Sequence, residues 1–295
     1  MTRKTAQDFD QELLIIFDAY VHGNIDRRGF LDRAQKFATA SITAGALLAA
    51  LSPNFALGQQ IPTDDKRIAT RLVSYPSTAG TGTVKGYLAM PATMTGKLPG
   101  VLVVHENRGL NPHIEDIARR LALAGYVAFA PDALTPLGGY PGDEDKAREL
   151  FAKLDQKKAT EDFVVGFTFL KGQSDCTGKV GVVGFCYGGG MAQTLATRLP
   201  ELNAAVPFYG NVPALAEAAK VKAPILAHFA ATDERINASW PAYGAALKAA
   251  GVNLTSYQYA GTQHGFNNDT APRYDAAAAK LAWDRTLDFF GKTLS

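Results

Sequence analysis

Lys179-Val180-Gly181-Val182-Val183-Gly184-Phe185-Cys186-Tyr187-Gly188-Gly189 joins a β-branched run to an amphipathic helical pattern, and the joint is a cysteine flanked by glycines. Lys179 to Phe185 reads as the strongest strand of the chain and Tyr187 to Arg198 as a helix, so Cys186 stands on a sharp strand-to-helix turn. A turn of that kind strains the residue at its tip, and side chains two positions before or after it would collide, which is why glycine is needed there. The thiol would sit at the N-terminus of the following helix, where free N–H groups and the helix dipole favour a thiolate. Taken alone, Gly-x-Cys-x-Gly is equally the mark of a buried structural cysteine in a glycine-rich turn.

Outward from this turn, short apolar runs alternate with longer amphipathic segments. Leu72 to Tyr75, Val84 to Met90, Gly100 to His105 and Tyr126 to Ala130 read as strands before it; Ala204 to Tyr209, Ala223 to Phe229 and Leu254 to Tyr259 read as strands after it. Helices are expected over Pro112 to Ala124 (with Asn111 as N-cap), Asp143 to Leu154, Thr160 to Lys171, Ala238 to Ala250 and Arg273 to Phe290. The alternation predicts an α/β fold, a mostly parallel, doubly wound sheet flanked by helices, in a single domain from residue 59 to 295. The glycine- and proline-rich stretch Thr135 to Gly142 is expected to be a surface loop near the site.

The 295 residues carry 30 basic and 28 acidic side chains without a sustained basic stripe, which argues against a nucleic-acid partner. Two cysteines, Cys176 and Cys186, cannot alone hold a structural zinc. The five histidines show no His-Glu-x-x-His spacing, so no metal or other cofactor is expected.

Residues 1 to 58 read differently. Asp26-Arg27-Arg28-Gly29-Phe30-Leu31-Asp32 precedes an alanine-rich apolar stretch, Phe37 to Leu51, and a small-residue site at Ala56-Leu57-Gly58. That order predicts a twin-arginine export leader, a periplasmic destination and a mature chain starting at Gln59. The apolar run is too short for a stable membrane span. The same segment also reads as a pair of amphipathic helices packed on the domain, in which case the protein stays in the cytoplasm.

Two further residues follow Cys186 in the chain order that a nucleophile on such a turn requires of its acid and base. Asp233 lies directly after the strand containing Ile225 to Phe229, and His264 directly after the strand Leu254 to Tyr259. His264 would take the thiol proton and deliver it to the leaving oxygen, while Asp233 fixes its tautomer. Asp233 equally suits the N-cap of a following helix, and Glu234 competes for the acid's role.

With these residues in place, the chain resembles the dienelactone hydrolases, or carboxymethylenebutenolidases, which are α/β-hydrolases with a Cys-His-Asp triad and no metal. The resemblance runs from about Gly86 to Phe290. It is carried by Gly-Phe-Cys-Tyr-Gly-Gly at 184 to 189, Val101 to Glu106, Ala124 to Asp132, and the segments around Asp233 and His264. It implies hydrolysis of a small-molecule ester or lactone. It also implies that Glu106 contacts the nucleophile and holds its thiol neutral at rest, and that the backbone N–H groups of Asn107 and Tyr187 form the oxyanion hole. Arg108 and Phe266 are candidate substrate contacts. The family's arginine four residues beyond the histidine is replaced by Asn268, which leaves open a broader carboxylesterase or thioesterase acting on small acyl esters. A redox or binding protein pairing Cys186 with Cys176 is the remaining alternative. It is disfavoured because a whole strand separates the two cysteines.

Overall fold

The computed structural model describes residues 4–295. Four helices come first: α1 (Gln11–Val21), α2 (Arg27–Ala34), α3 (Ala44–Leu51) and α4 (Phe55–Gly58). Asp10, Asp26, Thr43 and Asn54 cap them in turn, each accepting a backbone N–H of the first turn. Leu13, Leu14, Phe17 and Tyr20 of α1 bury against Phe30 of α2 and Leu47, Leu48 and Leu51 of α3, a small core of their own. Arg27, the first of the paired arginines, is bound to Asp145 at 2.6 Å. Among the described residues no helix is long and apolar enough to cross a membrane.

The remainder forms one sheet in the order β1-β2-β4-β3-β5-β6-β7-β8. The strands are β1 (Ile68–Ser77), β2 (Gly82–Pro91), β3 (Leu98–Val104), β4 (Val127–Pro131), β5 (Cys176–Phe185), β6 (Ala204–Phe208), β7 (Ile225–Ala230) and β8 (Leu254–Tyr259). From β4 to β8 every pair is parallel; β1 and β2 join antiparallel at one edge. The central strands β3 to β7 are buried on both faces, as their unbroken apolar runs demand.

Helices cover both faces. On one, α5 (Pro112–Leu123) and α11 (Ala276–Thr293) bring Ile114, Ile117, Leu121, Ala282 and Phe290 onto the sheet. On the other, α7 (Gln156–Lys171), α8 (Tyr187–Arg198) and α10 (Trp240–Ala249) contribute Phe163, Phe167, Leu195, Tyr243 and Leu247. The short α6 (Glu144–Phe151) and α9 (Glu234–Asn237) lie beside the carboxyl ends of the strands. This is the doubly wound α/β-hydrolase arrangement, which gathers functional loops at one sheet edge.

Several boundaries differ from the sequence reading, each for a local reason. Helix α7 begins at Gln156 rather than Thr160 because Asp155 accepts the N–H groups of both Lys157 and Lys158. The last helix starts at Ala276 because Asp275 caps it, leaving Arg273 to pair with Asp18. Cys176, expected in a loop, opens β5 instead and packs under the backbone of Gly100. It therefore lies at the opposite end of β5 from Cys186, and both cysteines are free.

Candidate active site

Cys186 follows the last residue of β5 with φ 55° and ψ −112°, a backbone state that costs a non-glycine residue on the order of 1–3 kcal/mol. Surrounding contacts impose it: the Cys186 N–H donates to the Phe208 carbonyl at 3.1 Å, and its own carbonyl accepts from Gly190 at 3.2 Å. The neighbouring glycines are compulsory. A Cβ on Gly184 would lie 1.9 Å from the Gly188 carbonyl oxygen, one on Gly188 2.1 Å from that of Val104, and one on Gly189 2.2 Å from that of Phe208.

Asp233 and His264 converge on this turn from the ends of β7 and β8. His264 Nδ1 lies 2.5 Å from Asp233 Oδ2. Asp233 uses its other oxygen to cap α9, accepting the Ile236 N–H at 3.3 Å, so one side chain both caps the helix and holds the histidine. Glu234, its rival, is exposed to solvent. With Nδ1 engaged, Nε2 is the His264 nitrogen left facing the sulfur. The imidazole is buried and lies against Tyr209, ring centroids 5.0 Å apart.

Electrostatics couple the pair. Burial alone would push the Cys186 thiol up, but the His264 charge, with the His22 contact added, outweighs it and brings the thiol down to about 6. Burial likewise works against a charged His264, yet the sulfur and the Asp233 carboxylate raise it to about 10. Both shifts favour a thiolate beside a protonated imidazole. In metal-free buffer with chelator, iodoacetamide should therefore alkylate Cys186 at a rate that rises through about pH 6, well below the ordinary thiol value of about 8.5. A midpoint near 8.5, read by mass spectrometry of the Cys186 peptide, would show that the pair does not form.

The residue that sequence reasoning missed is His22. It ends α1, with Nδ1 held 2.8 Å from the Asp18 carbonyl oxygen and 3.2 Å from the Asp18 carboxylate. Its Nε2 stands 3.5 Å from Cys186 Sγ and 3.1 Å from the guanidinium of Arg235, and its ring meets that of His264 edge-on at 4.7 Å. Asp18 is in turn held by Arg273 at 2.7 Å. The only sequence cue was the amphipathic pattern of α1 itself; nothing local links His22 to a residue 164 positions later.

The remaining expected residues fall into place unevenly. Glu106 lines the same cavity, but its carboxylate accepts a 2.8 Å hydrogen bond from Asn268. His264 and His22 both act to lower the thiol. Asn268 thus occupies the expected arginine position as an anchor for Glu106. Arg108 is buried and spends its guanidinium on the Val21 carbonyl at the end of α1, which also accepts from the Asn107 side chain at 2.8 Å. Tyr187, first residue of α8, has an N–H with no intrahelical partner by position, and Asn107 lines the cavity beside Cys186, as an oxyanion hole requires. Phe266 is fully buried in the core, packed on Tyr209 and Tyr259, and is not part of the cavity lining.

The cavity above Cys186 is small, about 60 Å³, and is roofed by Phe17, Tyr20, Val21 and Leu51 of the N-terminal helices. The Tyr20 hydroxyl donates to Asp145, and the Arg148 guanidinium lies 4.6 Å from the Tyr20 ring centre, fastening the roof to α6.

The family model described as "Dienelactone hydrolase family" matches residues 84–294, and a second, described as "YqhI-like", matches residues 1–38. A hydrolase fragment of Escherichia coli, provisionally named YghX, is 56% identical over 114 residues, 39% of this chain and 97% of that one. A Methylorubrum extorquens protein provisionally named a carboxymethylenebutenolidase is 31% identical over 275 residues, covering 88% of this chain and 92% of its own. The crystal structure of a protein from Klebsiella pneumoniae, provisionally named a dienelactone hydrolase, superposes with a TM-score of 0.67 at 28% identity, covering 76% of this chain and 99% of that one.

Proposed function

The chain belongs to the dienelactone hydrolase family, and from that premise we propose that it hydrolyses a small ester or lactone through a Cys186-His264-Asp233 triad and a covalent acyl-cysteine. The observation that carries this reading is the strained turn that aims Cys186 at His264, itself bound to Asp233 at 2.5 Å.

The thiolate attacks the carbonyl carbon of the substrate, and the developing oxyanion is received by the N–H groups of Asn107 and Tyr187. As the C–O bond breaks, the His264 imidazolium gives its proton to the leaving alkoxide; in a lactone that oxygen stays attached to the acyl group. Neutral His264 then takes a proton from water, whose oxygen attacks the thioester. Cleavage of the C–S bond releases the acid and restores the thiolate–imidazolium pair. Asp233 keeps Nδ1 protonated and steadies the charged ring throughout.

Small-molecule pockets span roughly 300–1,000 Å³. The cavity under the roof is far smaller, so substrate enters either by a shift of α1 and α3 or from the second cavity that Cys186 lines, about 180 Å³ beside Tyr187, Met191 and Asn211. Acid quenching during turnover of a short aryl ester should show the acyl mass on the Cys186 peptide. An intact protein that turns over the ester with no adduct on Cys186 would overturn the covalent route.

A second reading concerns the substrate. Arg108 and Arg273 both reach the cavity, but one is bound to the Val21 carbonyl and the other to Asp18, while Asn268 stands where the carboxylate-binding arginine is expected. That arrangement favours neutral acyl esters over a substrate bearing a carboxylate. Turnover of a short aryl ester should exceed that of dienelactone at equal concentration; the reverse order would restore an anionic lactone as the substrate class.

A further inference from the structure

We propose that His22, Cys186 and His264 form a site for a divalent transition metal, which binds across the nucleophile and blocks it. Two imidazoles and a thiolate are a donor set that selects zinc, cobalt or copper over magnesium and calcium. The three donor atoms lie within 4.8 Å of one another, with His22 Nε2 and Cys186 Sγ 3.5 Å apart. In tetrahedral zinc coordination, Zn–S of about 2.3 Å and Zn–N of about 2.0–2.1 Å place sulfur and nitrogen about 3.5 Å from each other. That pair is already spaced for a shared ion.

Each imidazole is also prepared for a metal from its far side. His264 Nδ1 is held by the Asp233 carboxylate and His22 Nδ1 by Asp18, so both rings turn Nε2 inward, as metal-bound histidines backed by carboxylates do. His264 is 6% exposed, and its Nε2 has no hydrogen-bond partner. The Arg235 guanidinium, 3.1 Å from His22 Nε2, opposes a cation there, as do Arg108 and Arg273 from the cavity wall; Arg235 is exposed and has to leave His22 and its 3.3 Å bond to Asn211 for solvent as the metal binds. The fourth coordination position opens to the cavity beside Glu106, leaving room for a water ligand. On binding, the metal takes the place of the proton associated with Cys186 and His264, which passes to solvent.

This site couples the two parts of the chain, because one ligand comes from the N-terminal helices and two from the sheet. Zinc would therefore clamp the roof closed as well as occupy the sulfur. The inference stands independently of the proposed hydrolysis, since its test does not use turnover. The full-length chain, reduced with a phosphine, is titrated with Co²⁺ and then Zn²⁺. One equivalent of cobalt is expected to produce a thiolate-to-cobalt charge-transfer band with the visible bands of tetrahedral cobalt. Zinc should abolish the bands and protect Cys186 from iodoacetamide. His22→Ala should weaken cobalt binding at least about 100-fold, and Asp18→Asn about 10–100-fold, while both variants keep the wild-type circular dichroism spectrum. Absence of the charge-transfer band at stoichiometric cobalt would overturn the site. So would undiminished binding in His22→Ala or, if that variant fails to fold, in a folded Asp18→Asn.

Discussion

Cys186→Ala is expected to lower ester turnover by at least about a thousandfold, toward the millionfold seen when a triad loses its nucleophile. The variant keeps the turn, the Asp233–His264 pair and the oxyanion donors, and loses only the atom that bonds to carbon. Residual catalysis would come from substrate binding and oxyanion stabilisation, which no longer have a covalent intermediate to serve. Because alanine is smaller and apolar, the variant should unfold at or above the wild-type temperature. A loss in kcat at unchanged fold therefore reads on chemistry alone. A variant within tenfold of wild type would mean that ester cleavage does not pass through Cys186.

Gly188→Ala is expected to be strongly destabilising. The new Cβ would meet the Val104 carbonyl oxygen at 2.1 Å and that of His105 at 2.7 Å, both backbone atoms of a buried strand and its exit. No rotamer relieves a clash between backbone and Cβ, so either β3 or α8 must move. The expected cost is more than about 4 kcal/mol, a large share of the 5–15 kcal/mol that a domain has in total. Thermal unfolding should shift down by at least about 8 °C, with loss of soluble protein in the extreme case. Gly291, exposed on α11 with nothing within 4 Å of where a Cβ would stand, is the matched control and should tolerate alanine. Equal melting temperatures for Gly188→Ala and wild type would show that the turn is looser than its contacts imply.

Much of this protein is legible along the chain because the relevant physics is local. The unbroken apolar run of β5, the amphipathic pattern of α8 and the glycines between them specify a strand, a helix and a turn between Cys176 and Arg198. Asp233 and His264 were legible for a related reason: each immediately follows an apolar strand, and parallel strands in one sheet deliver their carboxyl ends to the same edge. Sequence left Asp233 either as a cap or as the partner of His264; in the structure one carboxylate oxygen caps α9 and the other holds His264.

Other features depended on packing between distant segments. Glu106 shares the cavity with Cys186 and is held there by Asn268, a meeting that joins residues 162 positions apart. Phe266 and Arg108 have the chemistry of substrate contacts, yet one is drawn into the aromatic core and the other to the free carbonyl at the end of α1. Residues 1 to 58 show the limit most clearly. Their paired arginines and alanine-rich stretch read as an address, and nothing along the chain shows that residues 11 to 51 also form a small helical core that roofs the cavity.

By itself, then, the sequence determined the sheet, the strained cysteine turn and the order of acid and base, because hydrophobic period and glycine sterics act over a few residues. Only the tertiary structure decided what surrounds the sulfur. His22 reaches Cys186 because α1 buries Leu13, Phe17 and Tyr20 over the site and presents its last carbonyl to Asn107 and Arg108. No local pattern encodes that placement, since it follows from which apolar faces remain uncovered once the sheet and its helices have packed.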